Sequence, residues 1–302
     1  MPVSRPDYAD LNYFIAVARY RSFSRAGIEL GVSSSTLSHA LRSFEERLGV
    51  RLLNRTTRSV TLTAAGEQLL EAISEPMATL GGAIEGLNRF RESPAGLVRL
   101  NVMQDAALNL LSPVLPVLAE RYPDIQIDIA INNHMIDVIA EGFDAGIRYG
   151  DTVPEDMVSQ ALSAPIDWVV VGSPDYLRRY GEPRHPQDLL KHRCIGIRLG
   201  NGRIYQWEFE RGDEKLSICV PSTVIIDDGP IAMSLVEQGV GLVYASVPTV
   251  AALVEAGKVR CVLEDWCSPG PAFHIYYPSR RQVPVGLRVL IDLIREIRPL
   301  GL

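Results

Sequence analysis

Apolar side chains return every three or four positions through "YADLNYFIAVARY", where Leu11, Phe14, Ile15, Val17 and Ala18 fall at helical spacing, so an amphipathic helix is predicted over 8–20. A short second helix follows over 23–30, with Ser22 as its N-cap. Gly31 and Val32 then form a tight break, and Ser33 is placed to cap a third helix over 34–48 that Gly49 stops. In that helix Leu37, Leu41, Phe44 and Leu48 recur at i, i+4, i+7 and i+11 and define the inward side. Ser34, Ser35, Ser38, His39 and Arg42 occupy the other side near the N-terminus. Small hydroxyls in that position let a backbone approach closely while they donate and accept hydrogen bonds. Capping and solubility would explain a lone serine, but account poorly for five polar residues on one face. Two helices joined by a short glycine-containing turn are the pattern of a helix-turn-helix.

Downstream, "VRLLNRTTRSVTLT" places Leu52 and Leu53, then Val60 and Leu62, around a polar turn, which predicts a hairpin or wing. Arg55 and Arg58 at its tip are candidates for phosphate or minor-groove contact. Thr63 is expected to cap a long helix reaching about residue 90, striped by Leu69, Leu70, Ile73, Met77, Leu80, Ile84 and Leu87. Such a stripe needs a partner, and pairing of two chains along it is the simplest expectation. Pro76 and Gly81-Gly82 weaken the helix interior, where a kink or close contact is expected.

"RESPAGL" reads as a hinge, and beyond it strands and helices alternate. Strands are predicted over 98–102, 125–131, 145–148, 168–171, 224–226, 242–245, 259–263 and 273–277. Helices are predicted over 108–120, 136–141, from Pro174 with Ser173 as cap, and over 231–238, 248–256 and 285–298. The alternation implies parallel sheets with helices on their faces, and its length suits two small α/β lobes.

Composition then narrows the reading. The 302 residues allow two or three compact units, with the hydrophobic and charged content of ordinary globular proteins. Residues 1–60 carry nine Arg against five Asp or Glu, a net +4 on a chain of net −6, so a basic head sits on an acidic body and points to an anionic partner for the head. The start lacks the pattern of a secretory signal, no apolar run approaches the roughly 20 residues of a membrane span, and a cytoplasmic protein is expected. Cys194, Cys219, Cys261 and Cys267 lack CxxC spacing and read as buried thiols.

The stretch "FIAVARYRSFSRAGIELGVSSSTLSHALRSFEERLGVRLLNRTTRSVTLTAAG" resembles the amino-terminal region of LysR-type transcriptional regulators. "YPDIQIDIAI", "IAEGFDAGIRYG", "VVVGSPDYL", "GEPRHPQDLLKHRCIGIR", "EQGVGLVY" and "YYPSRRQVPVGLRVLIDLIR" then resemble the family's effector domain in order. The resemblance implies an all-α winged helix-turn-helix plus long linker helix, followed by an α/β two-lobed domain of the periplasmic-binding-protein type II kind. It implies a DNA-binding domain over 1–62, a dimerisation helix over 63–92 and an effector domain over 93–302, with lobe I over 97–165 and 271–302 and lobe II over 166–270. DNA contacts would fall on Ser34, Ser35, Ser38, His39, Arg42 and Arg58. Ser34 stands where the family often has glutamine and His39 where it often has arginine, so base preference is not carried over.

The same resemblance implies a small molecule bound between the lobes, near Gln104 and Asp105, Arg148, Ile166, Arg198 to Gly202 (with Gly200 and Asn201 between) and Asp228, consistent with ligands sitting at the carboxyl ends of parallel strands. Arg198 or Arg148 would hold a carboxylate or phenolate; an internal salt bridge for either is equally compatible. No cofactor or metal is expected. Promoter DNA, the effector and a second or fourth copy of the chain are the expected partners, with RNA polymerase a further one. Gly239 and Gly241 in "QGVGLVY" form a partial dinucleotide fingerprint in the wrong strand–helix order, and capping explains them better. His134, His185, His192 and His274 lack metal-ligand spacing, and no nucleophile motif appears, which disfavours an enzyme. A transport solute-binding protein would leave residues 1–62 without a purpose.

Overall fold

The computed structural model describes residues 8–55, 60–85, 94–138, 140–278 and 283–302. The chain forms two compact units, one built on the first 91 residues and the other on most of the remainder.

The first unit holds α1 (Tyr8–Tyr20), α2 (Phe23–Leu30), α3 (Ser34–Leu48), the hairpin β1 (Leu53–Arg55) and β2 (Val60–Leu62), and α4 (Ala64–Glu85). Its caps are the expected ones. Ser22 Oγ accepts the Arg25 N–H at 3.4 Å and Ser33 Oγ the Thr36 N–H at 3.0 Å, while Gly31 and Gly49 end α2 and α3 at φ +65° and +70°, a region costly for side chains other than glycine. Phe14, Val17, Ala26, Leu37, Leu41, Phe44, Leu52, Leu53 and Val60 form one buried core. Part of the apolar stripe on α4 is covered within the chain itself, because Leu69, Leu70 and Ile73 pack against that core. Leu80 is 48% exposed and Met77 half-buried; the Ile84 side chain and Leu87 lie outside the described residues. Thr63 fastens the start of α4, donating to Arg51 O at 2.7 Å and accepting from the Gly66 N–H at 3.0 Å.

In the second unit, β3 (Gly96–Val102), β4 (Ile125–Ile131), β5 (Ala145–Tyr149), β6 (Met157–Ala161) and β15 (Phe273–Pro278) form a five-stranded sheet in the order β4-β3-β5-β15-β6. β3 lies parallel to β4 and β5, but β15 is antiparallel to β5 and β6. The all-parallel expectation fails here because β15 belongs to the chain's return from the second lobe. The helix expected over 108–120 begins earlier, as α5 (Gln104–Ala106), widens to π geometry over Ala107–Leu111 and resumes as α6 (Leu115–Arg121). Pro113 lies in the break, where it has no N–H to offer an α-helical ladder. No helix forms over 136–141 among the described residues; loop and turn lead instead to Gly142 at φ +78°. The final helix α10 (Val285–Ile297) buries Leu287, Leu290, Ile291 and Ile294.

The second lobe is organised by β7 (Ile166–Gly172), antiparallel to β12 (Val243–Ser246) on one side and to β13 (Arg260–Val262) and β14 (Ser268–Gly270) on the other. Its side chains alternate as a strand buried on both faces requires. Val169 and Val171 join Ala232, Val236 and Val250 of α8 (Gly229–Glu237) and α9 (Val247–Glu255). Val170 joins Tyr176 of α7 (Pro174–Tyr180) with Trp207, Tyr244 and Trp266. A parallel pair, β8 (Cys194–Ile197) and β11 (Ser222–Ile226), and the hairpin β9 (Trp207–Arg211) with β10 (Glu214–Ile218) complete the lobe. Of these, β6, β8, β9, β10 and β14 were not predicted.

Candidate nucleic-acid interface and effector cleft

On α3 the inward face is buried along most of its length, but Leu48, expected with it, is 38% exposed at the helix end. Leu37, Leu41 and Phe44 are at most 2% exposed, whereas Ser34, Ser35, His39 and Arg42 are exposed. The Ser33 hydroxyl, besides capping the helix, lies 2.7 Å from both Ser35 Oγ and Thr36 Oγ1. Ser34, His39 and Arg42 have no side-chain partner among the described residues, which leaves their donors and acceptors to solvent or a ligand.

Arg55 is placed differently from the expectation. Its guanidinium turns onto α3, donating to Glu45 Oε2 at 2.7 Å and to Ser38 O and Oγ at 3.2 and 3.3 Å, with the Phe23 ring 5.1 Å from its central carbon. Alternation along β1 explains this: Leu53 faces the core, Asn54 faces out, and Arg55 faces inward again, where Glu45 supplies the counter-charge. Glu45 also accepts the Leu52 and Leu53 N–H groups at 2.8 and 2.9 Å. That carboxylate was missed in the sequence, although a glutamate beside buried Phe44, followed by an arginine-bearing strand, is a readable sign of such a clamp. Ser38 is half-buried and held by Arg55. Arg58 lies outside the described residues.

Between the lobes, the polar groups at strand ends meet each other. Gln104 Oε1 accepts the Gly229 N–H at 3.0 Å at the start of α8, and its Nε2 donates to Asp228 Oδ2 at 3.5 Å. Asp228 itself caps α8 through the Ile231 N–H at 2.9 Å. Asn133 Nδ2 donates to Asp227 O at 2.9 Å, His134 Nδ1 to Gly200 O at 2.8 Å, and Asn109 Nδ2 to Thr249 Oγ1 at 2.8 Å. Gly200 is needed at this seam, since a Cβ there would stand 2.1 Å from Asn133 O. Beside it, Tyr149 OH donates to Asp105 Oδ2 at 3.2 Å; burial raises the Asp105 carboxyl above its ordinary value, and the tyrosine hydrogen bond partly offsets this. Tyr149, Trp168 and Tyr205 form an aromatic wall, with ring centroids 5.9 and 6.3 Å apart in succession.

Thus Gln104, Asp105, Gly200 and Asp228 are gathered along one seam. Asn201 and Gly202 shape the adjoining loop, through the Arg203 N–H donated to Asn201 Oδ1 at 3.0 Å and φ +82° at Gly202. Arg198 is exposed and unpaired among the described residues. Two expectations are corrected. Arg148 is only 3% exposed and turns inward, donating to Asn101 O at 3.2 Å, Ile147 O at 2.8 Å, His134 O at 3.1 Å and Asn101 Oδ1. Its partners are uncharged carbonyls, so it is neither a cleft cation nor half of a salt bridge. Ile166 is 4% exposed, a core residue at the start of β7. Asn133 and His134 were missed although "NNH" follows β4 directly, at the strand end where polar groups meet ligands.

Residues 8–67 match the family described as bacterial regulatory helix-turn-helix protein, lysR family, and residues 91–298 match the LysR substrate binding domain. The chain belongs to the LysR family. This LysR-type regulator is 38% identical over 291 residues to the uncharacterised HTH-type transcriptional regulator YcaN of Escherichia coli strain K12, covering 96% of this chain and 95% of that one. CrgA of Neisseria meningitidis, a LysR-type transcriptional regulator, superposes with a TM-score of 0.62 at 27% identity, covering 97% of this chain and 99% of CrgA. Full-length AphB, a virulence activator of Vibrio cholerae, has the same fold, with a TM-score of 0.67 at 22% identity over 97% of this chain and 100% of that one. Its relatives are transcriptional regulators and not enzymes. No helix among the described residues is long and apolar enough to cross a membrane.

Proposed function

We propose that this LysR-type regulator seats α3 in the major groove of promoter DNA, with Ser34, Ser35, Ser38, His39 and Arg42 toward the bases and phosphates and Arg58 on the wing. The supporting observation is the outward face of α3: three polar side chains without partners, directly opposite three fully buried ones. Residues 1–62 form the DNA-binding domain, 63–92 the linker and 93–302 the effector domain in this reading. Two chains pair along α4 through Met77 and Leu80, which, among the described residues of the stripe, do not pack on the core of the first unit. A small molecule enters the seam between the lobes, replaces the Gln104 carboxamide at the start of α8 and meets Arg198, which suits an acidic ligand. The protein then acts in the cytoplasm, and ligand binding alters its engagement with the promoter and with RNA polymerase through unequal affinity for two arrangements.

A gel-shift titration against the DNA upstream of its own gene tests this. The wild type retards the fragment, with affinity falling steeply as salt rises, and Arg42→Ala weakens binding and lowers the salt slope by about one unit. Retardation that is the same in Arg42→Ala at every salt concentration would remove α3 from the interface.

A further inference from the structure

The parallel strands β8 and β11 have two ends. Their carboxyl ends lead to Arg198 and Asp228 at the seam. Their amino ends open onto a separate, solvent-open groove of about 400 Å3, lined by Leu190, Lys191, His192, Arg193, Pro221, Ser222 and Thr223, with no carboxylate in its lining. At about 3.3 Å per residue the four residues of β8 set the two places roughly 13 Å apart.

The groove's donors are held in place from below. Tyr176, 1% exposed, accepts the Arg193 N–H on its hydroxyl at 2.8 Å. That hydroxyl has one proton to give. Its two possible acceptors are His192 Nδ1 at 3.2 Å and Arg193 O at 3.4 Å, of which the histidine nitrogen is the nearer. With Nδ1 accepting, the neutral imidazole carries its own proton on Nε2, as a donor. Burial lowers the His192 pKa and so favours the neutral ring, against a weaker opposing pull from the Asp188 carboxylate. Asp188 is itself occupied by the Arg184 and His185 N–H groups at 3.1 and 3.0 Å. The Arg193 guanidinium rests 5.3 Å from the centre of the Tyr180 ring. Lys191 and Thr223 are exposed; neither makes a side-chain hydrogen bond among the described residues, and the Lys191 charge helps hold the Asp188 carboxyl below its ordinary value.

We propose that this groove is a second ligand site, for a small phosphate-bearing oxyanion, held by Lys191, Arg193, the His192 ring N–H and the Thr223 hydroxyl. Two cations together with two neutral donors match the charge and the many acceptors of a phosphoryl group. The site is independent of the seam and gives the effector domain a second input.

Isothermal titration of the full-length protein with pyrophosphate, at fixed ionic strength, tests it. The wild type should bind saturably. Lys191→Ala and Thr223→Val, both surface changes that leave the core intact, should each weaken binding, by roughly tenfold or more for the lysine, while Arg198→Ala at the seam should leave it unchanged. Absence of saturable heat, equal affinity in the Lys191→Ala and Thr223→Val double variant, or loss of binding in Arg198→Ala alone would each overturn the assignment.

Discussion

Two arginines of the first unit, Arg42 and Arg55, looked alike in the sequence and have opposite roles in the fold. Arg42 is exposed with no side-chain partner among the described residues, and Arg55 is tied to Glu45 and Ser38. Position on a strand decides this, and a hairpin of three-residue strands gives too short a pattern to reveal it before the packing is known. Arg55→Met should therefore cost about 1–3 kcal/mol in the unfolding of the first unit, as expected for a half-buried charge-assisted bond, whereas Arg42→Ala should leave thermal stability unchanged. Calorimetry of both variants separates the roles. A second residue-scale test concerns Asp105. Its carboxyl is raised by burial above 3.8, so folding favours the protonated form. The contribution is complete below the unfolded pKa and is lost as pH climbs through the raised folded value. Asp105→Asn, which keeps an acceptor for Tyr149, should then be more stable than wild type at pH 7, and the advantage should shrink as pH falls toward 4. A gap that stays constant in chemical denaturation from pH 7 to 4 would show that Asp105 bears no such penalty.

Helices with serine caps and glycine stops were readable to within a residue or two because capping chemistry is local: Ser33 and Gly49 delimit α3 whatever surrounds it. The hairpin β9–β10 was missed for the opposite reason. "WEFERGDEKLSI" does alternate around Gly212-Asp213, but its outward positions are so charged that only burial of Trp207 and Phe209, at 0% and 2% exposure, reveals the strand. The false helix at 136–141 arose from a short apolar run that is too brief to separate loop from helix by period alone. Glycine positions carry an element-scale prediction. A Cβ on Gly66 would stand 2.2 Å from Leu52 O and 3.1 Å from a Leu62 methyl, while one on Gly81 would meet nothing within 4 Å. Backbone cannot yield as a side chain does, so Gly66→Ala should destabilise by about 1–3 kcal/mol, and Gly81→Ala, in open helix interior, should stabilise by about 1 kcal/mol. Thermal melts of the two variants in one buffer should move in opposite directions.

At the scale of the whole effector domain, the strand–helix alternation announced α/β lobes but not their mixed sheets, because β15 and β12 acquire their antiparallel neighbours only when distant segments return. The same long-range closure makes the seam, and no local pattern encodes that Gln104 meets Gly229 across 125 residues. Four side chains of the first lobe reach across it: Gln104 to Gly229 and Asp228, Asn133 to Asp227, His134 to Gly200, and Asn109 to Thr249. Each net hydrogen bond contributes about 0.5–1.5 kcal/mol, so together they hold the lobes closed by an amount that a modest ligand can offset. Removing one should loosen the seam without disturbing either core. In Gln104→Ala the Gly229 N–H loses its acceptor, whereas Val171, in the centre of β7, keeps its ladder to Val243 and Cys261. Hydrogen exchange should accelerate roughly twofold to tenfold at the start of α8 and around Asn133, with the β7 amides unchanged. Acceleration that reached β7 as well would mean that Gln104 supports the lobe's core and not its closure, and unchanged exchange at Gly229 would mean that the Asp228 cap alone orders the helix start.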